Sequence, residues 1–147
     1  MILSSKAQLN RLDKSKLYYL ASPYTAKGLT GHAKRKLEHD RYLDITHIGA
    51  TLMADYGLLL LTPITASYGI VMHDPTSSLG GNWEQWAELD TKQITQSDGG
   101  IIVAMMDGWK ESTGVTAEIK HAHSIGRKVY YLHPTLIVGV TNAVHKI

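Results

Sequence analysis

The chain has 147 residues, 44% of them hydrophobic and 19% charged, a composition that gives one folded domain with a real core and excludes disorder. Its net charge is only +2, and the densest basic run, Lys34-Arg35-Lys36, is followed at once by Glu38 and Asp40. That run reads as a solvated helix face, and the charge is too mild to argue for a nucleic-acid polymer, so none is expected as partner. There is no cysteine, which excludes disulfides and thiol catalysis. No apolar run reaches the roughly 18 residues of a membrane span, and Met1 to Lys6 turns polar too soon for a secretory signal, so a cytoplasmic protein with no membrane partner is expected.

Residues 1–16 are polar and basic and read as a short helix or a loose arm. Leu17-Tyr18-Tyr19-Leu20-Ala21, stopped by Ser22-Pro23, suits a buried strand. After a loop at 24–31, residues 32–55 read as a long helix. Its stripe is Ala33, Leu37, Ile45, Ile48 and Leu52, with charges elsewhere, and Gly57 marks its end. Leu58 to Thr62 is a second strand, ended by Pro63. Residues 64–81 read as a long loop holding a helical turn and bordering the site. Asn82 is a good cap for a helix to Gln96. Gly100 to Met106 is a third strand, and a helix after it ends near Gly126. Lys128 to Leu132 is a fourth strand, with Leu136 to Val140 a possible fifth and 134–147 a C-terminal tail.

Strands and helices alternate, and the strands are continuous apolar runs. Both features predict one doubly wound α/β domain over residues 1–147, flavodoxin- or Rossmann-like, with a parallel sheet of four or five strands. Ligands of such sheets bind beyond the carboxyl ends of the strands, which singles out the loops at 22–31, 63–81 and 107–114.

Two acids stand out beside those loops. On the helix at 82–96, Asp90 shares a face with Trp83, Trp86, Ala87 and Ile94, and an ionised carboxylate in an apolar stripe needs a partner. It reads as an edge acid bonded to a neighbour or as a functional carboxyl. In "STGVTAEIKHA", Ser112 or Thr113 caps a helix whose buried stripe is Val115, Ile119 and Ala122, and Glu118 lies beside it. Glu118 reads as an acid favoured by the helix dipole or as a reactive group. Gly114 reads as turn geometry or as an opening onto the amides of a helix start. Paired acids suit glycosidic cleavage, one attacking the anomeric carbon and the other exchanging a proton with the leaving group.

The blocks "YYLASPYT" (18–25), "ELDTKQITQSDGGIIVAMM" (88–106) and "STGVTAEIKHAHSIGRKVYYL" (112–132) occur in that order. With them the chain, over roughly residues 17–133, resembles the nucleoside 2-deoxyribosyltransferase-like superfamily, which includes the 2′-deoxynucleoside 5′-phosphate N-hydrolases. Within it the sequence looks most like a small bacterial and phage group carried as a domain of unknown function. The resemblance implies that Glu118 is the nucleophile toward C1′ of the sugar and that Asp90 exchanges a proton with the base. It implies that Tyr19 orients the nucleophile, although core packing also explains that residue. Ser22 and Tyr24 would lie in the loop flanking sugar and base, with Tyr24 otherwise a surface aromatic. Ser112 would contact substrate, or simply cap its helix.

The transferases of this superfamily carry Asp-x-Gly where this chain has Ser112-Thr113-Gly114. That departure resembles the nucleotide hydrolases, whose serine and helix amides receive a 5′-phosphate. Lys27 is the basic residue near the first substrate loop, and the loop Asp107 to Glu111 is longer than either group implies. The resemblance further implies a homodimer or larger homo-oligomer, and no cofactor.

His121 and His123 point apart on a helix, so no metal site is expected. Neither Gly-x-x-x-x-Gly-Lys-[Ser/Thr] nor Gly-x-Gly-x-x-Gly is present. The expected activity is cleavage of a nucleoside or nucleoside 5′-monophosphate N-glycosidic bond through a glycosyl-Glu118 intermediate, with transfer to water or a second base. The alternative is a non-catalytic nucleotide-binding module on the same scaffold.

Overall fold

Alternate side chains of each strand enter two different cores, which is why the strands read as unbroken apolar runs. A computed structural model describes residues 1–140. Its strands are β1 (Ile2–Leu3), β2 (Leu17–Ala21), β3 (Leu59–Leu61), β4 (Gly100–Ala104) and β5 (Val129–Leu132). All pair in parallel, in the order β1-β5-β4-β2-β3. The helices are α1 (Lys6–Asn10), α2 (Gly31–Tyr56), α3 (Pro63–Met72), α4 (Trp83–Gln96) and α5 (Thr113–Ser124). On one face Tyr18, Leu20, Ile102 and Leu132 pack with Ile45, Ile48 and Leu52 of α2. On the other, Tyr19, Ala21, Ile101 and Val103 pack with Ile94 of α4 and with Val115 and Ala122 of α5. The doubly wound α/β fold is therefore as expected.

The fifth strand is not at 136–140. Pro134–Leu136 instead form a short 3-10 turn, and Ile137 turns back into the core at 3% exposure. Proline fixes its own backbone and lacks the N–H that a sheet ladder needs, so the chain leaves the sheet at Pro134. The edge position is filled from the amino terminus: Ile2 lies beside Tyr131 and Leu3 beside Leu132. Residues 1–16 thus hold a strand and the short helix α1, with Leu3, Leu9 and Leu12 buried. The rest of the expected tail, from 141 on, lies outside the described residues.

Two further expectations change. The first half of the expected loop at 64–81 is the helix α3, begun by Pro63 at its first turn, where a missing N–H costs nothing. On α2 the stripe is displaced: Ala33 is exposed, while Glu38, Arg41 and Asp44 are buried on the helix face that also carries Ile45, Ile48 and Leu52. Two lysines of the basic run pair along α2, Lys34 with the buried Glu38 at 2.7 Å and Lys36 with Asp40 at 2.8 Å.

The sheet order places a topological switch between β2 and β4. From β2 the chain leaves over the face covered by α2, and from β4 over the face covered by α5. The loops that follow these two strands, 22–30 and 105–112, therefore diverge and leave a crevice between them.

Candidate active site

Tyr19 lies at the centre of β2 and faces the α4–α5 core, where none of its surface is exposed. A buried phenol requires a hydrogen-bond partner. Its hydroxyl donates to Oε2 of Glu118, which α5 presents from its second turn. Asp90, presented by α4, is the second acid coupled to the same hydroxyl. The three residues singled out for catalysis thus meet, although they are far apart in the chain.

Burial, Glu118 and Asp90, in that order, hold the Tyr19 hydroxyl well above the ordinary phenol range, so it stays a donor. Burial also pushes the Glu118 carboxyl up to about 8. The Tyr19 hydrogen bond opposes that shift, and the negative charge of Asp90 adds to it. Burial raises Asp90 to about 6, again opposed by Tyr19. Between these values the two carboxyls together hold one proton, as expected of acids crowded in a low-dielectric site.

The other expected site residues surround the crevice without joining this cluster. The Ser22 hydroxyl is buried at the end of β2 with no hydrogen-bond partner among the described residues. Tyr24 packs edge-on against Tyr68, which stacks on Tyr42 at 4.0 Å. Burial, reinforced by Glu38, lifts its phenol to about 12. Ser112 caps α5, accepting the Val115 N–H at 3.2 Å. Gly114 lies within α5 rather than in a turn, and a methyl group there would make ordinary contact with the Trp83 ring at 3.8 Å and the Ser112 hydroxyl at 3.9 Å.

Two further features border the site, one of them, Lys27, already singled out near the first loop. Trp83, 51% exposed, stands over Gly114 at the mouth of α5. Its place two turns before Asp90 on α4 was the signal. Lys27 crosses the crevice, donating to the Glu111 carbonyl and the Thr113 hydroxyl, each at 2.6 Å. A cation from the first loop therefore sits at the amino end of α5, where the helix dipole also favours an anion. A groove of about 680 Å³ opens beside the 107–111 loop, lined by Trp109, Tyr131 and His133 rather than by the acid pair.

The fold and this cluster define a doubly wound α/β protein with a tyrosine-linked pair of carboxyls beside its switch point. The chain belongs to the family described as Domain of unknown function (DUF1937), which matches residues 16–133. No curated protein matches it. No helix among the described residues is long and apolar enough to cross a membrane.

Proposed function

We propose that the protein cleaves the N-glycosidic bond of a nucleoside or nucleoside 5′-monophosphate, as its resemblance to the nucleoside 2-deoxyribosyltransferase-like superfamily implies. The observation that carries the proposal is the convergence of Glu118 and Asp90 on the Tyr19 hydroxyl. An Oε of ionised Glu118 attacks C1′, and the C1′–N bond breaks with its electron pair passing to the base. The reacting form is the one in which the pair's single proton sits on Asp90 instead of Glu118, and Asp90 gives that proton to the departing base nitrogen. Asp90, now ionised, then takes a proton from water or from an acceptor base. That nucleophile attacks C1′ and releases Glu118. Tyr19 fixes the nucleophile's orientation, and its hydrogen bond favours the ionised, reactive form.

Lys27 and the amino end of α5 offer cation and amides to a 5′-phosphate, with Ser112 and Thr113 adding hydroxyls. The exposed Trp83 ring offers a stacking surface for a base. The rival reading, a non-catalytic nucleotide-binding module, is favoured by one observation. A carboxyl raised to about 8 is largely protonated at neutral pH, and a protonated carboxyl is a poor nucleophile.

The test incubates the protein with 2′-deoxynucleosides and their 5′-monophosphates, with and without a second base. Free base marks a hydrolase and exchanged nucleoside marks a transferase. Thermal stabilisation by a nucleotide with no turnover of any substrate would favour the binding module. A homo-oligomer, expected from the same resemblance, is checked by light scattering.

A further inference from the structure

The buried charges of α2 bear on the crevice. Arg41 is 8% exposed, and a guanidinium so placed needs acceptors. It finds them in the backbone of two separate loops. Nη1 donates to the carbonyls of Tyr24 at 3.2 Å and Thr25 at 2.9 Å, and Nη2 donates to the carbonyl of Asp107 at 3.2 Å. Tyr24 and Thr25 follow β2, and Asp107 follows β4, so the two loops that border the switch-point crevice share one side chain.

Neighbouring residues reinforce this grip. Glu38, one turn earlier on α2, accepts the Ala26 N–H at 3.1 Å and the Lys34 ammonium at 2.7 Å. The first loop is thus held by a cation at its carbonyls and an anion at its amide. Gly108 lets the second loop come close: its φ is +87°, and a Cβ there would lie 2.7 Å from Arg41 Nη2. Hydrogen bonds from an ionised donor are about twice as strong as neutral ones, and the rigid fork of Arg can serve several carbonyls at once. A lysine, as a point charge, cannot reproduce that spread.

We propose that Arg41 is a positioning residue that sets the separation of the 22–30 and 105–112 loops, and through them the affinity of the crevice for substrate. Its partners adjoin Ser22, Tyr24 and the approach to Ser112. Its hydrogen bonds do not reach Tyr19, Asp90 or Glu118, which stand on β2, α4 and α5. Loss of Arg41 should therefore weaken substrate binding and leave the chemical step nearly intact. The kinetic part of this inference rests on the proposed N-glycosidic activity, whereas the structural part does not.

The experiment uses Arg41→Met, which keeps the apolar stem and removes every donor, and Arg41→Lys. Amide hydrogen exchange, measured without substrate, should rise roughly tenfold or more at residues 24–27 and 107–110 together in Arg41→Met, with β4 and α5 unchanged. With the 2′-deoxynucleoside 5′-monophosphate that the wild type cleaves fastest, KM should rise about tenfold and kcat stay within about twofold, and Arg41→Lys should recover part of the loss. Loosening of one loop alone, or a fall in kcat at constant KM, would overturn the proposal. So would failure of both variants to fold, which would make Arg41 a core residue only. If the wild type cleaves nothing, the functional reading fails and hydrogen exchange still decides the role of Arg41.

Discussion

Glu118 is a reactive group only if its carboxylate matters beyond its size. In Glu118→Gln the amide oxygen still accepts the Tyr19 hydrogen bond, so the fold is kept, while the nucleophile is lost. Turnover should vanish, measured as free base released. Stability should respond as well. The carboxyl titrates near 8 in the fold against an ordinary 4.5, so between those values the folded protein keeps a proton that the unfolded chain has lost. This contribution is complete below pH 4.5 and declines as pH rises toward 8, by at most about 1.4 kcal/mol per pH unit. The variant should show a flatter melting temperature from pH 5 to 8 than the wild type, whereas an equal slope would mean that Glu118 is solvated. Activity has its own profile: the pair holds one proton between about 6 and about 8, so kcat/KM should peak between limbs near those values. A profile flat from pH 5 to 9 would remove this pair from the chemistry.

At the scale of elements, the entry to β4 is a close backbone approach. Gly100 has a φ of +103°, and a Cβ there would lie 2.3 Å from the Lys128 carbonyl oxygen, where backbone meets backbone. Gly100→Ala must strain both strands, and a loss of roughly 3 kcal/mol or more in a urea titration is expected. A change below about 0.5 kcal/mol, the usual surface effect, would show that the junction gives way freely. The join between the first loop and α5 makes a different demand. Lys27 bonds Glu111 and Thr113 at the exposed rim, so its removal should cost little stability. Lys27→Met should raise KM for 5′-monophosphates about tenfold, and leave nucleosides without phosphate nearly unaffected. Equal effects on both would place the phosphate elsewhere.

Across the whole molecule, the family match begins at residue 16, yet the core reaches back to Leu3. Leu3 has no exposed surface and packs with Leu9, Leu12 and Leu132. Leu3→Ala should therefore cost about 2–5 kcal/mol in chemical denaturation, as large-to-small core changes do. A cost of a few tenths would return residues 1–16 to a loose arm.

What could be read from the sequence was periodicity and punctuation. Both faces of the parallel sheet are buried, so Leu17–Ala21 and Gly100–Ala104 appear as unbroken apolar runs. Asn82 and Ser112 cap their helices through bonds to residues three positions on, which local order alone dictates. Glu118 and Asp90 were singled out as acids beside apolar stripes, because the cost of a buried carboxylate is visible at the level of one helix. Only the tertiary structure decided the rest. The edge strand came from Ile2 and Leu3, whose partners Tyr131 and Leu132 lie at the other end of the chain. No local pattern encodes such a pairing. The charges of α2 read as lying off its apolar stripe, because charge is normally expelled from cores, yet Glu38, Arg41 and Asp44 are buried. Arg41 is stable inside because three carbonyls from two distant loops converge on it, and that convergence exists only once the chain has folded.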